Sequence, residues 1–555
     1  MKKQVLYIIV MLLMAVSGVM AQAPNWAWAK SFGGVKDEYG TCVATDSKGN
    51  VYIGGSFESP TISFGTTILN NHAVGPDCYV TKLDHNGNVL WSKLIGSNGW
   101  DEIDDIAVDK SDNVFVAGSF ESSNFDIDGI HLDSTYYANL FIAKINSNGN
   151  TLWAKTAKGG VSSVTELSGW SLHLTVDNSG DCYIAGAFRS DSLSLGNLVL
   201  VNNLPDTNGY SFDIFIAKIS SSGSFLWAKS SGGLMDDYPT DVTFDGNNSI
   251  YLSGNIRSSI FHIENYTFSC DDDFFLAKYD LNGNNQWVKK YGGTAFNAVR
   301  ASTVDKDGNV ILGGITMDQF SIDNFFIAGW NSFIAKINPN GNAIWAKPLY
   351  ATSSGNIDID INKIATDNFG NFYLNGLYYD YAQFDTFQLH AITVGSGHMF
   401  IVKYDSSGKA LSATSVGGHT FMEATDMTID ALGSCYFTGD FDSTSLSFGN
   451  ITITNLNPIP DNFNTYLAKI NGPVGIEELP TSSITLSPNP TTGIITITGI
   501  TQPTVAVYNL MGQKVVAAQG SNEVNLAQLP SGMYMVQVFN KDGELVKSEK
   551  VILNR

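Results

Sequence analysis

Between Thr41 and Lys93 the chain passes through four short stretches in which apolar and polar residues alternate. Versions of this unit of about sixty residues recur as far as Ile470. A first run closes on Asp46, the turn Asp46-Ser-Lys-Gly-Asn50 follows, and Val51-Tyr-Ile-Gly-Gly-Ser-Phe57 forms the second run. A long connection leads to Tyr79-Val-Thr-Lys-Leu83, a second turn Asp84-His-Asn-Gly-Asn88, and Val89-Leu-Trp-Ser-Lys93. The third run returns at Phe141, Phe215, Phe275, Phe333, Phe400 and Tyr466, which makes seven copies. The tryptophan run appears at Trp28, Trp91, Trp153, Trp227, Trp287 and Trp345, with a degenerate copy at Leu411-Ser-Ala413.

A period of two in runs rich in Val, Ile, Phe and Tyr predicts strands packed on their faces. In Asp-x-x-Gly-Asn the Asp side chain accepts from backbone two residues on, and Gly supplies the positive φ of a type I turn with a bulge. Such turns join antiparallel strands, so the runs become strands a, b, c and d, with a to b and c to d as hairpins. The register of this turn places Trp153 opposite Ala143, and likewise Trp227 opposite Ala217, Trp287 opposite Ala277, Trp345 opposite Ala335 and Trp91 opposite Thr81. One four-stranded sheet cannot bury both faces, and radial stacking of seven such blades does. The predicted fold is therefore all-β, a seven-bladed β-propeller.

The two ends of the repeat complete one another. Trp26 to Ser31 is a strand d with no a, b and c before it, whereas Ala424 to Asp430, Ser434 to Phe441 and Thr465 to Ile470 supply a, b and c with no d after them. The N-terminal strand is expected to pair antiparallel with Thr465 to Ile470 and close the ring, removing an exposed edge. The long connections from b to c, such as Ile62 to Leu69, Phe125 to Leu132, Leu193 to Leu200 and Leu446 to Ile453, predict small extra hairpins that wall one rim.

Lys2 and Lys3 precede an apolar stretch from Val5 to Val19, and Val19-Met-Ala21 suits a signal-peptidase cut, so residues 1–21 are expected to be a signal peptide, with no transmembrane span in the mature chain. With 53 acidic and 31 basic residues the formal net charge is −22, which disfavours nucleic acid as a partner. Five cysteines are an odd set for a disulfide framework. Cys182 and Cys435 take the first strand-b position, where other copies carry Val51, Val114 or Ile250, and read as small buried hydrophobes. Cys42 and Cys78 lie on either side of a strand b and are not placed to pair, and Cys270 stands alone.

The copies resemble the β-propeller repeats of the seven-bladed bacterial type. The residues that carry the likeness are Gly33-Gly34 with Asp37, Asp46 to Asn50 with Val51-Tyr52, and the Ala-Lys-Ile run before Gly149-Asn150 and Trp153. Asp112-Asn113 in place of Gly-Asn, and the missing tryptophan near Leu411, depart from the pattern. The resemblance spans Trp26 to Ile470 and implies a fold and an extracellular setting, without naming an activity.

The repeat gives the domain division: a propeller over 22–472, a linker over 473–483 and a new composition over 484–555. Strand-like runs at 494–497, 505–510, 514–517, 533–539 and 545–552 predict a small antiparallel β-sandwich. Pro488-Asn-Pro490 with Gly493, Val507-Tyr-Asn-Leu-Met-Gly-Gln-Lys514 and Leu529-Pro-Ser-Gly-Met-Tyr534 resemble the type A C-terminal sorting domain of type IX secretion cargo. That resemblance implies the type IX machinery as a partner through residues 484–555, and a final location outside the cell or on its surface.

No nucleophile elbow, phosphate loop, zinc set or dinucleotide fingerprint is present, so no catalytic residue, metal or cofactor is expected. Asp305-Lys-Asp-Gly-Asn309 begins like a calcium loop but lacks the downstream Glu, and turn geometry explains it. A second polar set lies near the start of strand a. Asp37, Glu38, Asp101, Asp236, Asp237 and Asp358 approach that strand, while Asp105, Asp241 and Asp426 sit four residues before its closing Asp. They are expected to gather near the channel mouth, either bonding backbone amides where blades meet or binding a cation or polar ligand. Trp100, Trp170, His173, Arg300 and Lys363 stand in equivalent places without being repeated, which fits ligand reading rather than scaffold.

The preferred reading is a secreted or cell-surface interaction module for a polymer, a glycan or a protein partner. The alternatives are a polysaccharide lyase or hydrolase on a propeller, and a rigid surface spacer. If the tail is the export signal, a chain ending at Gly472 should accumulate folded in the periplasm of the native type of host. Fractionation and surface proteolysis check this, and normal surface delivery of the truncated chain would refute the assignment.

Overall fold

The computed structural model describes residues 26–554 except 73–74, 122–123, 134–138, 160–166, 203–210, 271, 295, 318, 351–358, 392–396, 418–421, 458–461, 473–483, 510–513 and 541–544. The expected signal peptide and linker lie outside the described residues. The chain divides into two compact units, 1–471 and 472–555.

The first unit is a β-propeller. Its a strands are Glu38–Thr45, Asp101–Val108, Leu167–Val176, Asp237–Phe244, Asn297–Val304, Ile359–Thr366 and Met422–Ile429, and each begins a four-stranded set in the order a-b-c-d. We number the sets as blades 1 to 7 in that order. Blade 7 takes its d strand, Trp26–Phe32, from the start of the chain: Ala29 pairs with Ala468 and Phe32 with Thr465. Blades 7 and 1 also meet at the innermost strands, where Thr425 Oγ1 donates to the Gly40 carbonyl. Thr41 Oγ1 donates to the Ile103 carbonyl at 2.6 Å and Asn362 Nδ2 to the Ala424 carbonyl at 2.9 Å, so one inner-wall contact recurs between neighbouring blades.

The turns form as their residues dictate. Asp46 Oδ1 accepts from the backbone N–H of Lys48 at 3.0 Å and of Asn50 at 2.9 Å, while Gly49 takes φ 74. All five cysteines are free and buried, with Cys182 and Cys435 fully enclosed at the head of their b strands.

The tryptophan register differs from the expected one by a residue. Trp153 pairs with Lys144 while Ala143 pairs with Ala154; in the same way Trp227 faces Lys218, Trp287 faces Lys278, Trp345 faces Lys336 and Trp91 faces Lys82. The cause is a second bulge, because Ile145 pairs with Thr151 and Lys144 with Trp153, leaving Leu152 unpaired and half exposed.

That shift brings indole and ammonium side by side. Trp153 Nε1 and Lys144 Nζ both donate to the Ser221 carbonyl in the c to d turn of the next blade, at 3.1 and 3.5 Å. The arrangement repeats: Trp91 and Lys82 reach Ser147, Trp227 and Lys218 reach Leu281, Trp287 and Lys278 reach Pro339, and Trp345 and Lys336 reach Ser406. Across the closure, Trp28 and Lys469 reach His85, each at 3.1 Å.

The lysines are also held inside their own blades. Lys82 pairs with Asp46 at 3.0 Å, Lys144 with Asp109 at 2.9 Å and Lys336 with Asp305 at 2.8 Å. Lys82 Nζ further lies 4.7 Å from the ring centroid of Tyr52, and Lys144 Nζ 4.7 Å from that of Phe115. A Cβ on Gly149, whose φ is 88, would come within 3.1 Å of the Trp91 ring, so this glycine serves both the turn and the neighbouring indole.

The small b-to-c hairpins form, as at Thr61–Phe64 with Thr67–Asn70 and Ser192–Leu195 with Leu198–Val201. They do not simply wall the mouth. Ala157 on strand d of blade 2 pairs with Leu195 of the blade 3 hairpin, and Gly232 on strand d of blade 3 pairs with His262 of the blade 4 hairpin. Each of these hairpins gives partners to the edge of an outer strand, which would otherwise present bare N–H and C=O groups. At the opposite rim, strand c of blade 7 ends at Ile470, paired with Cys435 and Trp26 beside the a to b turns.

The second unit holds two antiparallel sheets. One contains Thr485–Ser487, Ile494–Thr498 and Glu523–Asn525; the other contains Thr504–Tyr508, Lys514–Gln519, Gly532–Phe539 and Leu545–Leu553. Ile495, Ile497, Val505, Val507, Val536 and Val551 are buried in one shared core.

Blade 6 lacks the tryptophan: Ser412 faces Lys403 there. The next c strand runs to Ile470 and takes its d strand from the start of the chain, so among the described residues no c to d turn carbonyl stands there for an indole to reach. Trp345→Ser should therefore destabilise the propeller by about 2 kcal/mol, below the roughly 3–5 kcal/mol of a fully buried Trp truncation because this indole is half buried. Ser412→Trp should leave stability unchanged. Calorimetry of both variants checks the explanation, and a stabilising Ser412→Trp would contradict it.

Candidate functional site

One place in strand a, four residues before its closing Asp, carries Cys42, Asp105, His173, Asp241, Ala301, Lys363 and Asp426 in blades 1 to 7. Asp105, Asp241, Lys363 and Asp426 face the waist of the central channel, His173 faces the mouth above it, and Cys42 and Ala301 are enclosed in the apolar cores between blades. Three carboxylates there splice adjacent blades: Asp426 Oδ2 accepts from Val43 N at 2.7 Å, Asp105 Oδ2 from Leu174 N at 2.7 Å, and Asp241 from the N–H of Ser302. Lys363 Nζ lies 3.4 Å from Asp426 Oδ1. Below this waist, Asp105, Asp241, Lys363 and Asp426 face a cavity of about 320 Å³ with Val43, Thr175 and Thr303.

Burial governs the charges at the waist. It pushes Asp105 up to about 7, with Lys363 opposing and Asp426 and Asp241 adding to the rise. It likewise pushes Asp241 up to about 6, again against Lys363. Burial alone would depress the Lys363 ammonium, but Asp426, Asp241 and Asp105 outweigh it and hold that group above its ordinary value. His173 is lowered to about 3 by burial and by Lys363, so it is a neutral imidazole at physiological pH.

The acids at the start of strand a do a different job. Glu38 is enclosed, accepts from Gly34 N at 2.9 Å and from Ser59 Oγ, and is pushed up to about 7 chiefly by burial. Asp237 accepts from Ser258 Oγ at 2.7 Å and Arg257 N at 2.9 Å, and burial pushes it up to about 6. Asp101 accepts from Ser97 N at 2.8 Å, Asp37 from Phe463 N at 2.9 Å, and Asp236 from Phe212 N at 3.0 Å. These carboxylates tie the connections around strand a to its first residues. Asp358 lies outside the described residues; Trp170 belongs to strand a of blade 3, but its side chain lies outside them as well.

Above the waist, a cavity of about 530 Å³ opens at the mouth on blades 3 to 5. Its wall includes His173, Tyr238, Arg257, Asp272, Asn297 and Arg300. Arg300 Nε lies 3.5 Å from Asp360 Oδ1. On the same rim Trp100 is 55% exposed, Trp330 54% and Tyr379 41%. His173, Arg300 and Trp100 stand out in the sequence as unrepeated residues beside strand a, whereas Arg257, Tyr238 and Trp330 lie outside that pattern. The residue after strand b changes from Glu58 and Glu121 to Arg189 and Arg257, then to Met317, Tyr379 and Asp442. That departure from the repeat is a signal that marks Arg257. Among the described residues, no group of three or more His, Cys, Asp and Glu side chains is arranged to hold a metal ion, and no helix is long and apolar enough to cross a membrane.

In the second unit the Pro-Asn-Pro turn clips onto the last strand. Asn489 Nδ2 donates to the Lys550 carbonyl at 2.6 Å, Ile552 N donates to Asn489 Oδ1 at 3.0 Å, and Thr491 N to the Ile552 carbonyl at 2.8 Å. Tyr534 closes the other end, its hydroxyl donating to the Pro530 carbonyl at 2.8 Å. Residues 485–554 match the family described as the secretion system C-terminal sorting domain. The tail is a type IX sorting domain. Its motif residues are thus structural within the sorting domain, tying its first turn to its last strand, and the sorting domain makes this a protein destined for the cell surface or the exterior.

The chain is also similar to a WD repeat-containing protein of Acanthamoeba polyphaga mimivirus, L264, at 27% identity over 524 residues, covering 76% of this chain and 36% of that protein. The regulatory protein FlaEY of Caulobacter vibrioides is 21% identical over 223 residues, covering 38% of this chain and 22% of its own length. The chain therefore spans about a third or less of the curated relatives it matches. A fungal alcohol oxidase of the AA5 family, solved with copper, is similar at 11% identity and a TM-score of 0.38, covering 96% of this chain and 100% of its own.

The raised carboxyls make stability depend on pH. Glu38 and Asp105, near 7 in the folded state, bind protons there that the unfolded chain has already released, so their contribution is full below about pH 4 and is lost as pH rises through 7. His173, lowered to about 3, works oppositely, but only below its unfolded value near 6.5. Between pH 6.5 and 8 the carboxyls therefore act alone, and the melting temperature should fall across that window. Asp105→Asn should shrink the fall; a melting temperature that rises from pH 6.5 to 8 would contradict the assignment.

Proposed function

We propose that the protein is a secreted or cell-surface binding module that engages an extracellular polymer, a glycan above all, through the channel mouth. The observation that supports this reading is the polar cavity of about 530 Å³ with exposed aromatic rings on the same rim, Trp100, Trp330 and Tyr379. Exposed indoles and phenols offer flat apolar faces beside hydrogen-bonding tips, the surface that a sugar ring stacks on. The cavity is of the size of small-ligand sites and is built from residues that blade symmetry does not require. Propeller geometry by itself is already satisfied by the repeated residues, so these unlike side chains are free to serve recognition.

The proposed role is binding rather than catalysis. Of the two carboxylates on the cavity wall, Asp273 is held by Lys290, which leaves Asp272 without a second acid beside it; Asp237 is committed to capping backbone and a Ser hydroxyl, and Asp105 and Asp241 to splicing blades at the waist. A general acid and base would need carboxyls released from such duties. The test is affinity electrophoresis of the full chain against a panel of neutral and charged polysaccharides. Retention by at least one polymer is expected, with Trp100→Ala and Trp330→Ala each weakening it about tenfold, the loss of a stacked aromatic anchor. No retention by any polymer, or retention unaffected by both substitutions, would overturn the reading.

A further inference from the structure

The channel mouth carries its arginines on one side only. The chain has four arginines, Arg189, Arg257, Arg300 and Arg555. Three of them stand on consecutive blades, 3, 4 and 5, at the same rim, and the fourth is the last residue of the chain. The opposite sector is acidic, with Glu58 and Glu121 at the ends of the b strands in blades 1 and 2, Asp442 in blade 7, and Glu102 and Glu423 on strands a. Burial raises Glu102, with Glu121 adding, and raises Glu423, with Asp360 adding.

Lysine and arginine have separate duties here. The strand-c lysines Lys82, Lys144, Lys218, Lys278, Lys336 and Lys469 are drawn into the blade seams, each donating to a turn carbonyl. Arg189 and Arg257 share the place after strand b in blades 3 and 4 only, and Arg300 stands alone at its place in strand a. A planar guanidinium presents paired donors that match a carboxylate or sulfate in a way that an ammonium does not.

We propose that the arginine sector is a subsite for the anionic group of an acidic saccharide, a uronate or a sulfated sugar; the inference rests on the polymer-binding reading above. Arg257 and Arg300 flank the cavity, and among the described residues the exposed Arg257 guanidinium has no ion pair. Arg300 is held by Asp360 through Nε, which leaves its terminal nitrogens for a ligand. Arg189 lies over the Phe212 ring, 4.8 Å from its centroid, and Phe212 packs on Tyr238 with centroids 5.4 Å apart. This column fixes the Tyr238 ring on the cavity wall, where a sugar face can lie against it.

Two carboxylates share the wall. Asp273 is neutralised by Lys290, and Asp272 remains as an acceptor for sugar hydroxyls. The anion is directed to blades 3 to 5 because the acidic sector across the mouth repels it, so one end of the bound saccharide is specified by attraction and the other by exclusion.

The experiment compares four probes on the full chain by isothermal calorimetry: polygalacturonate, its methyl ester, dextran sulfate and neutral dextran. An acidic probe should bind about tenfold more tightly than its uncharged counterpart, the worth of one charge-assisted contact. Arg257→Ala and Arg300→Ala should each remove most of that preference, while Glu121→Gln across the mouth should strengthen acidic binding two- to threefold. Preference for polygalacturonate over its ester identifies a carboxylate ligand, and preference for dextran sulfate alone identifies a sulfate. Equal binding of charged and uncharged probes, or arginine variants that keep the preference, would overturn the subsite and leave polymer binding standing. Failure of all four probes, joined to failure across the wider polysaccharide panel, would overturn polymer binding itself.

Discussion

Six of the seven seams between blades turn on a single carbonyl oxygen that accepts from two donors of the preceding blade, an indole N–H and a lysine ammonium. The ammonium is buried, and such a charge is stable only when paired and hydrogen-bonded; the closing Asp of strand a and the aromatic ring beneath it meet that need. The same Asp orders its own turn through backbone N–H groups. A hairpin turn, a strand-c lysine and a strand-d tryptophan are therefore one device distributed over two blades, and none of the three has its full set of partners within its own repeat. The departure at Ser412 follows from this dependence, since among the described residues blade 7 offers no c to d turn to the blade before it.

The parts of the fold set by local chemistry were legible in the sequence. Asp46 to Asn50 specifies a turn through its own side chain, and the alternation around it specifies strands, so the repeat, the hairpins and the pairing of Trp26 to Ser31 with the last propeller strand followed from residues alone. The tryptophan register did not, because the bulge at Leu152 answers to a carbonyl more than sixty residues away. The outward lean of the small hairpins was equally hidden: Leu195 pairs with Ala157 because a neighbouring blade has an edge to satisfy.

Along the channel the positions of the acids were readable, and bonding backbone amides where blades meet was one of the two duties the sequence offered for them. Asp105, Asp241 and Asp426 occupy equivalent places, and it takes the neighbouring blade to show that each accepts from an amide across a seam. Repeated residues build this protein and unrepeated ones face its solvent. By that measure Arg257 carried as much information in the sequence as His173, and it lay at the end of strand b rather than beside strand a.

Strand c of blade 7 ends at Ile470 on the rim of the a to b turns, whereas the arginine and tryptophan side chains stand on the rim where strands a begin. The last propeller strand thus ends a full strand's length from the mouth, so a change made at Ile470 is screened from the cavity by the whole height of the blade.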